Sequence, residues 1–422
     1  MSVSTPPDRS PSPAPEGAEG PAARAPSFRE FVGLMAALMA LTALSIDIML
    51  PALPLIRNDY GVADENAQQL VITLYMVGFG IGQLFAGTLS DRFGRKTVMG
   101  VGLGLYALAA LACMIAPSFE VLLAARLVQG IANASPRVVA IAVIRDIYGG
   151  RRMAEVMSFV MTVFIIVPAI APALGSGLLV FSPWEGIFLF LALVAMATFA
   201  WTGLRLPETR PPEMREPLSL TWIGRAFAQV ATNRFSLGYT LATGCAFGGM
   251  MAYINTAEQI YNEIYEAGAL FPVLFAMVSA AMAAAAVTNS RLVSRLGMRR
   301  IGHAALLVYT GIAAVHLGLE LLPGTLTLYV FMPLMMVQLF AFGLIMPNFN
   351  SIAMEPMGRI AGTASSFVGF ATTGLGAFLG WVVGQAYDGS AAPLAAGYFF
   401  FGLGALALVL ITEKGRLFRA TV

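Results

Sequence analysis

The chain has 422 residues, of which 58% are hydrophobic and only 11% charged, with a formal net charge of +2. Soluble domains carry about 25% charged residues, so these proportions argue against a soluble enzyme, and the small net charge gives no basic field for nucleic acid. Two cysteines, Cys113 and Cys245, each in an apolar run, offer no disulfide framework. A bilayer core takes roughly 20 apolar residues per crossing helix. The composition therefore points to an all-α membrane protein with many crossings.

Residues 1 to 26 hold seven prolines among Ala, Ser, Glu and Gly. Such a segment has too little apolar surface to repay the entropy of ordering and is expected to be a disordered tail. The first apolar run starts near Phe31 and continues past 20 residues, longer than the core of a cleavable signal peptide. Twelve apolar spans are expected: 30–55, 68–89, 97–117, 119–146, 153–180, 184–206, 235–261, 268–290, 299–320, 326–352, 361–386 and 391–412. The longest connection follows span 6, so the expected organisation is an N-terminal six-helix bundle at 27–206, a linker at 207–234, a C-terminal six-helix bundle at 235–413 and a tail at 414–422. Within the linker, Leu218 to Phe235 reads as amphipathic.

An even count puts both termini on one side. Alternating the connections collects 22 of the 25 Lys and Arg on that side, leaves Arg57 on the other, and places Arg126 and Arg137 inside span 4. Cationic loops resist translocation, so both termini are expected to be cytoplasmic. The opposite side is acidic, with Asp59, Asp64, Glu65, Glu120, Glu185, Glu263, Glu266 and Asp388.

The loop Gly87-Thr-Leu-Ser-Asp91-Arg92-Phe-Gly94-Arg95-Lys96 after span 2 is echoed 203 residues later by Ser290-Arg-Leu-Val-Ser294-Arg295-Leu-Gly297-Met-Arg299 after span 8. Duplicated bundles of this kind belong to transporters. Gly94 suits a turn with positive φ, and Asp91 can accept from a helix N-terminus. Ser294 replaces the acid in the second copy, so a charge latch there should be weaker or absent.

The first loop resembles the signature of the major facilitator superfamily. Asp47-Ile-Met-Leu-Pro51-Ala-Leu-Pro54, Arg126-Leu-Val-Gln129-Gly130, Arg145-Asp146-Ile-Tyr148, Pro168-Ala-Ile-Ala-Pro172-Ala-Leu-Gly175 and Ala361-Gly362-Thr363-Ala-Ser365-Ser look like its bicyclomycin and chloramphenicol resistance (Bcr/CflA) branch of drug:proton antiporters. The resemblance implies two pseudo-symmetric six-helix bundles and proton-coupled multidrug efflux across a bacterial inner membrane by a monomer. It also implies that Asp91 meets the N-terminus of span 11 near Gly362 to Ser365, and that Arg95 pairs with Asp146, latching one gate. Pro168, Pro172 and Gly175 correspond to the motif that separates exporters of this superfamily from importers. Two prolines leave unpaired carbonyls and a kink, and Gly175 permits close helix approach.

Intramembrane charges are read as functional by default. Asp47, Arg126 and Arg137 lie well inside, and Glu258 lies nearer an end, either at the water boundary or as a site for a cationic group. At 100° per residue Arg126, Gln129, Asn133 and Arg137 share one stripe of span 4, which should face a wet cavity. Asp47 and Arg126 fall at similar depth and could form an ion pair, with Asp47 as the proton carrier; a static structural pair is the alternative. Arg137 could attract an anionic group. Tyr253, Asn255, Gln338, Asn348, Asn350, Thr372 and Thr373 are further cavity candidates or interhelical hydrogen bonders, and His303 and His316 on span 9 are not expected to relay protons. No Gly-x-x-x-x-Gly-Lys-Ser/Thr loop is present, so the proton gradient is the expected energy source. No metal or other cofactor and no enzymatic activity are expected. Importers or symporters of a small metabolite on the same fold, and a non-transporting sensor or membrane enzyme, are the competing readings.

Overall fold

The computed structural model describes residues 26–215, 220–324 and 326–418. The expected tail at 1–26 lies outside them except for Pro26, and the last four residues of the C-terminal tail also lie outside. Among the described residues fourteen α-helices follow in order: α1 (Phe28–Asp47), α2 (Leu53–Asp59), α3 (Leu70–Phe93), α4 (Arg95–Met114), α5 (Phe119–Ile147), α6 (Gly150–Phe181), α7 (Glu185–Arg205), α8 (Leu220–Thr232), α9 (Arg234–Gln259), α10 (Phe271–Leu296), α11 (Met298–Glu320), α12 (Leu328–Met354), α13 (Ala361–Gln385) and α14 (Ala392–Thr412). Span 1 comprises α1, a 3-10 turn at Leu50–Ala52 and α2. Spans 2 to 6 are α3 to α7, and spans 7 to 12 are α9 to α14.

Several starts are written in the sequence as side-chain caps, which satisfy N–H groups that a helix leaves unpaired. Ser27 accepts from the N–H of Glu30 at 3.3 Å, Ser118 from Val121 at 3.4 Å, and Asn233 from Phe235 and Ser236 at 3.0 and 3.1 Å. Span 1 differs from the single helix expected at 30–55. Pro51 and Pro54 lack the N–H groups that would continue the α-helical ladder, so α1 stops at Asp47 and the chain turns before α2.

Among the described residues, eleven spans are long and apolar enough to cross a membrane by composition. The twelfth, α9, has the length, at 26 residues, but Gly, Ser, Thr, Tyr and Asn dilute its apolarity. It packs against α12, α13 and α14, and most of its residues are buried. A helix so enclosed has little lipid-facing surface that must be apolar.

The halves assemble as two six-helix bundles. In the first, α5 packs on α3 and α4, α7 on α4, and α6 on α1; in the second, α9 packs on α13 and α14, while α12 joins α10 and α11. Between them, α3 meets α13 and α6 meets α10. The linker helix α8 lies on α13, where Val230 joins Met357, Ala364 and Val368 in a small apolar cluster and the Phe227 ring sits 5.3 Å from that of Phe367.

The α3–α5 contact is close because Gly130 faces the backbone of Tyr75 and Phe79, where a Cβ would strike the Tyr75 carbonyl oxygen. Gly130→Ala should overpack this contact at about 1–3 kcal/mol. The expected result is a lower thermal midpoint in detergent; an unchanged midpoint would mean that α3 and α5 separate without penalty.

Candidate functional site

The break in span 1 organises the centre of the molecule. The carbonyl of Ser45, in the last turn of α1, has lost the regular ladder ahead of it and accepts from Arg126 Nη2 at 3.1 Å. Arg126 also donates Nε to the Val71 carbonyl at 2.9 Å and Nη1 to Gln129 Oε1 at 2.7 Å. Its guanidinium lies 4.4 Å from the Tyr75 ring centre. A helix C-terminus carries partial negative charge, so the end of α1 is suited to receive this cation.

Asp47 is not part of that arrangement, which overturns the expected Asp47–Arg126 ion pair. Among the described residues Asp47 forms no ion pair, and its buried Oδ1 has no hydrogen-bond partner. The reason is angular. Two residues on a helix are about 200° apart, so when Ser45 meets α5, Asp47 points the other way. It lines a cavity of about 20 Å³ with Pro168 of α6, Met250, Tyr253 and Ile254 of α9, Phe275, Val278, Ser279 and Met282 of α10, and Leu339 of α12. That volume holds about one water. Tyr253 stacks on Phe275 at 5.6 Å, and its hydroxyl lies 3.2 Å from that of Tyr261.

The exporter-type motif adjoins the same segment. Pro168 walls the Asp47 cavity, and Gly175 lets α6 approach so closely that a Cβ there would collide with the Ile48 carbonyl oxygen. Pro172 lies one turn from each, and α6 runs on through both prolines.

The polar stripe of span 4 divides. Arg126, Gln129 and Asn133 are fully buried and do not face a wet cavity. Arg126 donates to Gln129, and Asn133 donates to the Tyr75 hydroxyl at 2.5 Å and to Thr42 at 3.2 Å. Arg137 alone of the four lines the large cavity, about 610 Å³, together with Gln83, Gly87, Asp91, Arg95, Arg145, Asn350, Thr363 and Ser366. The Arg137 guanidinium lies 5.4 Å from the Phe79 ring centre.

This cavity opens between the halves at the end bearing the Gly87–Lys96 loop, called here the basic end. Gly94 has φ +96°, and buried Arg95 pairs with Asp146 at 3.0 Å and Asp91 at 2.9 Å while donating to Ser90 Oγ at 2.6 Å. Arg92 is exposed. The expected contact of Asp91 with the N-terminus of α13 is not made. Asp91 instead faces Arg95 and, at 3.5 Å, Arg210, with the open cavity between it and Gly362, Thr363 and Ser365. Glu208, which sequence reasoning missed, accepts from the N–H groups of Arg95 and Lys96 at 2.8 and 3.1 Å and so caps α4. Thr209 adds a bond to Asp146 at 2.9 Å.

The second loop is anchored by ion pairs within the C-terminal half. Arg299 pairs with Glu413 at 3.1 Å and Glu355 at 3.4 Å; the acids come from the ends of α14 and α12 rather than from the position of Ser294. Glu413 also accepts from Tyr239, whose hydroxyl lies 2.7 Å from His303 Nε2. His303 and His316 are buried on α11 and line neither cavity.

At the opposite, acidic end the halves are joined by uncharged groups. Gln69 Nε2 donates to Gln259 Oε1 at 2.8 Å and to the Gly384 carbonyl at 3.1 Å. Asn66 donates to the Tyr387 carbonyl at 2.9 Å, and Gln385 donates to the Asn66 carbonyl at 3.0 Å. Asn255 reaches Thr73 at 3.5 Å. Glu258 is buried and accepts from Asn262, so it is not at the water boundary. Gln338 is buried away from both cavities, Asn348 donates to Asn289 at 2.6 Å, and Thr373 accepts from Gln83 across the halves at 3.1 Å.

Arg126→Leu should destabilise the fold by about 1–3 kcal/mol for each stranded carbonyl, read as a lower thermal midpoint and less monodisperse protein. A variant as stable as wild type would separate the break in span 1 from its guanidinium. Gln69→Ala should loosen the amide clasp, giving several-fold faster alkylation of a cysteine at Ser279 in a background without Cys113 and Cys245; equal rates would show that these bonds do not hold the acidic end shut.

A family model described as Major Facilitator Superfamily matches residues 35–381. The chain is 29% identical over 391 residues to the "Uncharacterized MFS-type transporter YdgK" of Bacillus subtilis (strain 168), covering 90% of this chain and 95% of that one. It is 30% identical over 385 residues to the "Bicyclomycin resistance protein homolog" of Haemophilus influenzae, covering 90% and 94%. The solved structure of the human organic anion transporter MFSD10 superposes with a TM-score of 0.71 at 19% identity, covering 92% of this chain and all, 100%, of that one, a likeness of fold alone. The family match over most of the chain, on two bundles joined as described, means that this protein belongs to the Major Facilitator Superfamily.

Proposed function

We propose that the protein is a proton-driven exporter of small molecules that works by alternating access in a bacterial inner membrane, with the basic end and both termini in the cytoplasm. The carrying observation is the place of Asp47. A carboxyl group with no ion-pair partner among the described residues sits where α1 breaks, against Pro168 of the exporter-type motif and between the two halves. A group so placed senses both the proton and the packing of α6 on α10, the contact that must change when the halves rock.

The orientation follows from the 22 of 25 Lys and Arg that alternating the connections assigns to the side of the termini. With that end cytoplasmic, the 610 Å³ cavity opens inward while the amide clasp closes the outer side. Cytoplasmic substrate would enter next to Arg137, and protonation of Asp47 from outside would follow the opposite opening. The similarity to a bicyclomycin resistance homologue supports export of drug-like compounds, and both halves reside in one chain, as a monomeric carrier requires.

In proteoliposomes, Asp47→Asn should retain substrate counterflow but lose accumulation driven by a pH gradient, by about 100-fold if proton coupling is removed outright, an effect of about 2.7 kcal/mol. In a pump-deficient bacterial host, efflux by wild type should stop with a protonophore. Gradient-dependent export by Asp47→Asn, or protonophore-resistant efflux, would overturn the proposal.

A further inference from the structure

The charges around the large cavity carry a statement about what enters it. Its lining contains three cationic side chains, Arg95, Arg137 and Arg145, and one acid, Asp91. Asp91 stands 2.9 Å from Arg95 and 3.5 Å from Arg210, and Arg95 is held further by Asp146 at 3.0 Å. These groups form a closed set at the mouth. Arg137 lies eight residues before Arg145 on α5, so it sits about 12 Å deeper along the axis. Among the described residues no carboxylate lines the cavity at that depth, because Asp47 belongs to a separate space that shares no wall residue with this one.

Cations within a membrane span are costly and mark ligand paths. Arg126 has a structural explanation, since the Ser45 and Val71 carbonyls and Gln129 receive it. Arg137 lies on the cavity wall, beside Phe79 at 5.4 Å. Around it the cavity offers apolar surface from Val138, Ile141, Met354 and Val368 and hydroxyls from Thr363 and Ser366. A low-dielectric wall strengthens the field of a cation, and a guanidinium matches carboxylate and sulfonate oxygens in a fork.

We propose that the large cavity binds organic anions, an apolar body bearing a carboxylate or sulfonate group, and that Arg137 selects them. The assignment rests on the export reading for its direction but not for its binding chemistry. It has an electrical consequence. Moving a monoanion out and one proton in transfers two elementary charges per cycle, against one for a neutral substrate and none for a monocation, so membrane potential acts most strongly on the anion.

Three probes with permanent charge states test it: naphthalene-2-sulfonate, the neutral methyl 2-naphthyl sulfone, and the cationic (2-naphthylmethyl)trimethylammonium. Binding to purified full-length protein is read by thermal shift, and transport in proteoliposomes with an imposed pH gradient and a valinomycin-set potential. The sulfonate should bind at least ten-fold more tightly than the other two. Arg137→Gln should raise its dissociation constant at least ten-fold while leaving the neutral probe within two-fold, and Arg137→Lys should recover part of the loss. Equal wild-type affinity for all three probes, a measurement that needs no variant, would overturn the proposal, as would an Arg137→Gln effect shared equally by the neutral probe. Arg137-dependent sulfonate binding without gradient-driven flux of any probe would sustain the anion site and refute the export reading.

Discussion

Everything at the centre of this protein depends on one interrupted helix. Pro51 and Pro54 cannot donate to the ladder, α1 ends at Asp47, and the carbonyls freed near that end become acceptors. One of them, from Ser45, receives Arg126; another, from Ile48, is the surface against which Gly175 brings α6. The same break therefore buries a cation in the N-terminal bundle, docks the motif-bearing helix and leaves Asp47 turned toward the C-terminal bundle. A continuous helix would satisfy its own carbonyls and offer neither contact.

The two ends of the molecule are built from different chemistry. Ion pairs and a carboxylate cap gather around Arg95 at the basic end, whereas amide side chains and backbone carbonyls join the halves at the acidic end. Within the first half the basic loop is thoroughly satisfied even while the cavity beside it stands open. Glu208 shows how: the linker folds back and supplies an anion to the N-terminus of α4, as the helix dipole favours. Asp91 faces Arg210 across 3.5 Å and borders the open cavity opposite Gly362, Thr363 and Ser365.

Much of the fold was legible because a bilayer imposes length and apolarity on every lipid-facing helix. Only α9 escapes that signal, being wrapped by protein. The loop repeat, the proline motif and the intramembrane charges could be picked out one by one, and the depth of Asp47 and Arg126 could be reckoned from the helical rise. Their partners could not, because direction around a helix depends on which face the fold turns inward. A shift of two residues reverses it, and Ser45, not Asp47, met Arg126. Gln69, Asn66, Gln385 and Glu208 carried no mark in the sequence, since uncharged amides and a loop acid acquire their roles only from neighbours more than 100 positions away.

The neutral character of the clasp between Gln69, Gln259 and the Gly384 carbonyl separates the responses of the two ends to the medium. Dissolved ions screen exposed charge within about 10 Å at 0.1 M but have little purchase on amide hydrogen bonds. Ionic strength thus becomes a one-sided handle on the conformational equilibrium. Salt weakens the electrostatic attractions available to the basic end and leaves the amide hydrogen bonds that join the halves at the acidic end as they are.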